Sequence, residues 1–266
     1  MDKCRIGIIG VGVLGSAIAA YFHDRGYEFF CYDKNKKIGS IGKINKADAI
    51  FICVPTPRKS DNSCDVSIVD EAISYIQGNK IVIIKSTVIP GTTDAFQIKY
   101  PQHQVLFNPE FLTERRAVED FTNPKLQILG ITAKSQEISK ELIKILPRAQ
   151  YNQTIPAAAA ELFKYFRNSY LAMKNSFANQ IFDLCKTTGV DYDYIKNCAE
   201  ADPWIGPEHL NPIQDGFRGF NGKCLPKDTE ALLFWASQYQ IDLSVLRKAV
   251  EYNSRLLESQ GIKKDS

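Results

Sequence analysis

Ile6-Gly7-Ile8-Ile9-Gly10-Val11-Gly12-Val13-Leu14-Gly15 decides the fold. A short apolar run from Cys4 to Ile9 enters Gly-x-Gly-x-x-Gly, and beyond it Ile18, Tyr21 and Phe22 recur at helical spacing. The pattern predicts a strand, a tight glycine turn and a helix from about Leu14 to Arg25. In that context each glycine has a task. The first makes the turn, the second lets the backbone approach a pyrophosphate, and the third packs helix against strand. The helix then points the positive end of its dipole at the phosphates. Gly10, Val11, Gly12, Val13, Leu14 and Gly15 are therefore candidate dinucleotide contacts. The uncharged stretch Ile6 to Phe22 also has the look of a signal peptide, but the glycine spacing has its own explanation and the run is short for a spanning helix.

A second apolar run, Glu28 to Tyr32, ends at Asp33, about 20 residues beyond the glycines, where an acidic side chain receives ribose hydroxyls and repels a 2′-phosphate. That favours NAD, although Lys34 and Lys36 stand close by. Ala49–Val54, Ile81–Ile84, Val105–Phe107 and Gln127–Ile131 continue the strands, with helices near Val66–Ile76 and Gln136–Leu146. The continuous apolar runs suit buried parallel strands. Val54-Pro55-Thr56-Pro57 and Lys85-Ser86-Thr87-Val88-Ile89-Pro90-Gly91 follow strand C-termini, the edge of an open parallel sheet where ligands bind. Val54, Pro55, Thr56, Ser86 and Thr87 thus join the cofactor candidates. Cys31 and Cys53 read as core residues within strands.

From Pro156 the pattern is helical. Thr154 suits a cap and Pro156 a first turn. Apolar residues at 162, 166, 170, 173, 177, 181 and 184 trace one stripe to about Lys186. Core packing is the simplest use of that stripe, and a dimer face is another. Lys164 and Asn168 share a helix face, a spacing that equally suits a solvated surface. The Pro- and Gly-rich stretch Asp202–Asn221 reads as a long loop. It leads through Gly219-Phe220-Asn221-Gly222-Lys223-Cys224-Leu225-Pro226-Lys227-Asp228 to helices near Thr229–Gln238 and Leu243–Leu257. Lys223 and Lys227 make electropositive surroundings for Cys224.

The whole reads as α/β: a Rossmann-like doubly wound sheet over residues 1–154, then an all-helical domain with a long spine helix over 155–266. The length of 266 residues suits two domains. A hydrophobic content of 44% with 24% charged residues excludes a disordered chain or a multi-span membrane protein. Net charge +3 without a basic run gives no case for nucleic acid. The 7 cysteines include no Cys-x-x-Cys, so a reducing, cytoplasmic setting is expected and a metal site is not.

Together these motifs resemble the UDP-glucose/GDP-mannose (nucleotide-sugar) dehydrogenase family. The likeness rests on Gly10-x-Gly12-x-x-Gly15, Val54-Pro55-Thr56-Pro57, Lys85-Ser86-Thr87-Val88, Asn108-Pro109-Glu110-Phe111-Leu112, Glu161-Leu162-x-Lys164-x-x-x-Asn168 and Gly219 to Asp228, in the family's order. The resemblance implies a four-electron oxidation of a sugar C6 alcohol to a carboxylate with two NAD, UDP-glucose being the expected substrate. It implies Cys224 as the nucleophile, Lys164 and Asn168 as oxyanion donors, and Asp228 and Thr87 in proton transfer or water holding. Glu114 would bear on thioester hydrolysis, and Lys227 would reach the cofactor. Glu110, Phe111, Leu112, Phe220 and Gly222, with Lys164 and Asn168, would line the substrate groove. A homodimer through the long helix is also implied.

Three departures from the family pattern stand out. The chain stops one helix after the cysteine helix, where relatives continue into a third domain. Trp204 precedes Ile205-Gly206 where relatives often carry Arg. Asn221-Gly222 replaces a glycine pair. Two other readings compete: a single-hydride β-hydroxyacid dehydrogenase, which leaves Cys224 without work, and a non-catalytic NAD-binding remnant.

Overall fold

The computed structural model describes residues 4–214 and 216–263, so Asp215 in the long loop lies outside the described residues. The chain divides into two compact units, one running up to Pro57 and resuming over Asp65–Lys164, the other formed by Arg58–Cys64 and the chain from Tyr165.

The first unit is a single sheet with helices on both faces. In chain order it contains β1 (Ile6–Ile9), α1 (Val13–Asp24), β2 (Phe29–Tyr32), α2 (Ile41–Ile44), β3 (Ala49–Ile52) and α3 (Ser67–Ser74). There follow β4 (Ile81–Ile84), α4 (Thr92–Lys99), β5 (Gln104–Phe107), α5 (Ala117–Thr122), β6 (Leu126–Ile131), α6 (Gln136–Ile145) and β7 (Tyr151–Pro156). The strand order is β2-β1-β3-β4-β5-β6-β7. Strands β1 to β5 pair in parallel, β6 runs antiparallel to β5, and β7 is parallel to β6. This is the expected doubly wound sheet, with one reversed strand added.

Strand alternation builds two cores. Ile6, Ile8, Phe51, Ile83, Leu106 and Leu129 point to one face and meet Ile18 and Phe22 of α1, Phe121 of α5 and Leu142 of α6. Ile9, Ile50, Ile52, Val82, Ile84, Val105 and Phe107 point to the other, against Val69 and Ile73 of α3 and Phe96 of α4. The order of strands reverses between β1 and β3, which opens a crevice at their C-terminal ends.

α7 (Ala157–Thr188, 32 residues) starts in the first unit and carries on into the second. At 1.5 Å per residue it is about 48 Å long. The second unit adds α8 (Tyr192–Ala201), the two-stranded ribbon β8 (Ile213–Gln214) with β9 (Phe217–Arg218), α9 (Leu225–Ser237) and α10 (Ser244–Glu258).

The structure corrects four local readings. Thr154 and Pro156 do not open the long helix. They belong to edge strand β7, paired with Leu129 and Ile131, and the helix begins at Ala157. The stripe at 162, 166, 170, 177 and 184 is not core. Phe166 is 60% exposed, Phe177 64% and Leu184 58%, while Tyr165, Ala172 and Asn179 on the opposite side are buried. Asp228 belongs to helix rather than loop, because α9 starts at Leu225, four residues earlier than expected. Cys53 lies one residue past β3, where its N–H donates to the carbonyl of Ile9 at 2.7 Å.

Candidate active site

The glycine turn follows β1 directly. Gly10 has φ +92°, and a Cβ there would sit 2.5 Å from the Cys53 carbonyl oxygen. A Cβ on Gly15 would come within 2.0 Å of the Gly10 carbonyl oxygen. Packing within the protein therefore demands glycine at both positions. Gly12 is different: a Cβ there would meet nothing within 4 Å. It is also the N-cap of α1, and no side chain caps that helix. Bare backbone and unspent helix N–H groups make a cradle that fits a pyrophosphate.

Asp33, just past β2, lies against this turn. Its carboxylate accepts from Val11 N at 2.9 Å and from Lys36 N at 2.9 Å. Burial pushes its pKa up, but the N–H groups of Lys36, Val11 and Asn35 and the Lys36 charge prevail, so it is held below the ordinary value. Neither neighbouring lysine points freely outward. Lys36 Nζ donates to the Val11 carbonyl at 2.6 Å and Lys34 Nζ to Glu71 at 3.0 Å. Thr56 is buried after β3, and Ser86 Oγ donates to the Val54 carbonyl at 2.6 Å, joining the loops that follow β3 and β4. Thr87 is half-buried beside them.

Lys164 is nearly buried, at 4% exposure. Its Nζ donates to the Glu110 carbonyl at 2.7 Å and to Glu110 Oε1 at 3.3 Å, over the Phe111 ring. Glu110 Oε2 in turn accepts from Leu112 N at 2.9 Å. The Asn108-to-Leu112 segment thus wraps around the ammonium. Glu114 stands beyond it, exposed, in a single 3-10 turn over Glu114–Arg116.

Two residues in this unit went without a role in the sequence reading. Lys85 is buried, and its Nζ donates to Asn108 Oδ1 at 2.8 Å. Asn108 Nδ2 continues to Gln127 Oε1 at 2.7 Å and the Ile128 carbonyl at 2.6 Å. Burial pushes Lys85 down to about 8, against the pull of Cys53 and Glu110. Glu161, fully buried one turn before Lys164, accepts from Gly91 N at 2.6 Å, Thr93 N at 2.8 Å and Thr93 Oγ1 at 2.6 Å. It caps α4 from another helix. Burial outweighs those donors and pushes its carboxyl up to about 7. The signal for both was a charged residue inside an otherwise apolar run.

The second unit holds the other polar cluster. Asn168, 3% exposed, donates from Nδ2 to Asp228 Oδ2 at 2.6 Å. Lys227 Nζ pairs with Asp228 Oδ1 at 2.7 Å. Lys227 and Asp228 sit in the first turn of α9, whose N-cap is the exposed Cys224, and Asn168 reaches the carboxylate from α7. The thiol thus stands at the positive end of the α9 dipole with Lys227 three residues on. Burial works against the Lys227 ammonium, but Asp228 beside it, with Cys64 and Cys224, raises its pKa overall. Farther along α9, Glu230 pairs with Arg58 of the Arg58–Cys64 segment. Phe220 is buried, Gly222 has φ +85°, and Lys223 is exposed. Among the described residues no group of His, Cys, Asp or Glu could hold a metal ion.

A switch-point crevice with a bare glycine cradle and an acid just past the second strand is the architecture of a dinucleotide-binding Rossmann module. The comparisons with known proteins specify it. Residues 38–147 match the NAD-binding domain of the UDP-glucose/GDP-mannose dehydrogenase family, and residues 158–255 match that family's central domain. The chain belongs to this family, whose members are NAD-dependent oxidoreductases, and its cofactor is NAD. It is 29% identical over 308 residues to the UDP-glucose 6-dehydrogenase of Rhizobium meliloti (strain 1021), covering 97% of this chain and 69% of that protein. It is 34% identical to that of Rickettsia conorii (strain ATCC VR-613 / Malish 7), covering 80% of this chain and 50% of the relative. A solved UDP-glucose dehydrogenase from the archaeon Pyrobaculum islandicum superposes with TM-score 0.85 at 26% identity, covering 97% of this chain and 72% of that one.

Proposed function

We propose that the protein oxidises the C6 alcohol of a nucleotide sugar, UDP-glucose foremost, to the carboxylate through a covalent intermediate on Cys224. The observation that carries this reading is the grouping on α9: an exposed thiol at the N-cap, with Lys227 and Asp228 in the first turn and Asn168 bonded to Asp228. A single-hydride dehydrogenase has no use for a thiol so placed. Family membership and the relatives named above support the nucleotide sugar.

The chemistry divides among these residues. Asp228, through a water, takes the alcohol proton as the first hydride leaves C6. The Lys164 ammonium and the Asn168 amide donate to the developing oxyanion. Cys224 Sγ then adds to the aldehyde carbon, giving a thiohemiacetal that loses the second hydride to become a thioester. Water, held with help from Thr87 and Glu114, cleaves the thioester, releasing the carboxylate and restoring the thiol. A separate NAD, bound for each of the two oxidations, would supply the hydride acceptor. Its phosphates would lie on Gly10 to Gly15, its adenosine ribose at Asp33, with Val54, Pro55, Thr56, Ser86 and Lys227 around it. Glu110, Phe111, Leu112, Phe220 and Gly222 would contact the sugar nucleotide.

The exposed stripe along α7, with Trp204 at 91% exposure in the same unit, supports a homodimer built on that helix. No disulfide joins the described cysteines, which suits a reducing, cytoplasmic setting. Among the described residues no helix is long and apolar enough to cross a membrane.

The deciding assay counts NADH per sugar nucleotide consumed across a panel of UDP- and GDP-sugars. Two NADH, with Cys224→Ala unable to form the acid, is the expected result. One NADH, or full acid production by the alanine variant, overturns the reading.

A further inference from the structure

Asn253 sits on α10, 1% exposed, and its carboxamide pairs through both its oxygen and its nitrogen with one other residue. Oδ1 accepts from Phe220 N at 2.8 Å, and Nδ2 donates to the Phe220 carbonyl at 2.8 Å. Flipping the amide would set donor against donor and acceptor against acceptor, so the pairing fixes its orientation. Phe220 lies four residues before Cys224. Two residues earlier, at the end of β9, Arg218 is held in the same way by Gln260, whose Oε1 accepts from Arg218 N at 2.8 Å and whose Nε2 donates to the Arg218 carbonyl at 3.1 Å. Asn253 lies within α10 and Gln260 two residues past its end at Glu258, so the two amides take the backbone on either side of Gly219. Asn221 Nδ2 adds a bond to the Lys263 carbonyl at 3.0 Å. The last helix and the few residues after it thus grip the backbone leading to the cysteine.

Gly219, between the two gripped residues, belongs to the device. Its φ is +94°, and a Cβ there would lie 2.5 Å from Asn253 Oδ1. Only glycine lets the Asn253 amide reach the next residue. Past Phe220 the chain has just Asn221, Gly222 and Lys223 before Cys224 begins α9. The thiol is therefore anchored on one side by its own helix and on the other by the Asn253 clamp.

We propose that Asn253 is a positioning residue for the Cys224 thiol, acting through the backbone of Phe220. The inference rests on the reading of Cys224 as the nucleophile. Thioester formation needs Sγ in line with the aldehyde carbon, and a misplacement of about 1 Å costs on the order of 100-fold in rate. The first oxidation needs no thiol. A loosened cysteine loop therefore slows the second oxidation selectively and lets aldehyde escape.

The test uses the whole chain with Asn253→Ala, and with Gly219→Ala as a second variant that crowds the same contact without touching Asn253. Three quantities are read on each soluble, folded protein: kcat with KM for the sugar nucleotide, NADH formed per sugar consumed, and the rate at which iodoacetamide alkylates Cys224, followed by mass spectrometry. Both variants should lose 10- to 100-fold in kcat with NAD affinity unchanged. NADH per sugar should fall from two towards one, with the aldehyde trapped by hydroxylamine, and Cys224 alkylation should change at least threefold. A purely structural role would lower the melting temperature but leave stoichiometry at two and alkylation unchanged, and that result overturns the proposal. Cys224→Ala, run in parallel, separates the two failures. Full acid production by Cys224→Ala removes the nucleophile reading and this proposal with it. An inactive Cys224→Ala beside wild-type behaviour of the other two variants sinks the positioning role alone.

Discussion

Asn168 Nδ2 lies 2.6 Å from Asp228 Oδ2, a bond between two buried side chains 60 residues apart in the chain. Because Lys227 holds the other oxygen, the Asp228 carboxylate is tied at both ends and its direction is set. Asp228→Asn keeps the shape but removes the counter-charge of Lys227. Stranding one partner of a largely buried pair costs about 3 kcal/mol. The variant should unfold at lower denaturant and lose at least 100-fold in kcat. Adding Lys227→Met should restore much of the stability without the activity. A double variant no more stable than Asp228→Asn would show that the pair does not hold this turn.

The glycine turn separates folding from binding at two positions in one motif. Gly15→Ala drives a methyl to within 2.0 Å of the Gly10 carbonyl oxygen, and backbone must move. A loss of about 3 kcal/mol or more is expected. Gly12→Ala meets open space, so its melting temperature should hold while NAD affinity falls at least tenfold. Calorimetry on both variants with and without NAD checks this. Equal loss of stability in the two would contradict the assignment of Gly12 to the pyrophosphate.

Much of the first unit was legible because buried parallel strands leave continuous apolar runs. β4 was read at its observed bounds of Ile81–Ile84, and β1 and α1 within two residues. β7 was not. Tyr151-Asn152-Gln153-Thr154 forms an exposed sheet edge, where no apolar pattern is required, and its Thr and Pro looked like a helix start. The stripe on α7 was visible, but its destination was not. Periodicity shows that residues share a face, never whether that face meets its own core. Within the site, Lys164 and Asn168 could be placed on one helix from spacing alone. What each touches depends on partners far away in the chain, Glu110 and Asp228. Asn253 was silent for the same reason, and Glu161 showed only as a charge in an apolar run, with nothing to name its partner. A single Glu or Asn on a helix looks solvated until the loop it grips is in view.

The ribose contact proposed for Asp33 carries a prediction about cofactor preference. A 2′-phosphate would meet its carboxylate, while Lys36 and Lys34 are already engaged by the Val11 carbonyl and Glu71. Asp33→Asn removes the repulsion and a ribose acceptor together. Affinity for NAD should fall about tenfold, and the preference over NADP should narrow by a larger factor. A variant whose ratio of kcat/KM for the two cofactors is unchanged would move the ribose contact elsewhere.

Lys85 gives a pH signature. In the folded protein burial lowers its pKa to about 8, from an ordinary 10.5. Between those values the unfolded chain binds the proton and the folded one does not, so stability rises with pH across this window. Below pH 8 the buried ammonium weakens the fold by a constant amount, about 3 kcal/mol for a shift of this size. Lys85→Met fills similar space without a charge, and it also leaves Asn108 Oδ1 without the hydrogen bond that Lys85 supplies. That second loss does not vary with pH, so the two effects separate. Wild type should gain about 3 kcal/mol relative to Lys85→Met as pH rises from 8 to 10.5. Denaturant unfolding of both proteins at each pH measures it, since the other lysines and tyrosines titrate alike in the two and cancel in the difference. A wild-type-minus-variant difference that stays flat across this range would mean that Lys85 keeps an ordinary pKa in the folded state. The buried chain through Asn108 and Gln127 would then be holding a full positive charge at neutral pH without penalty.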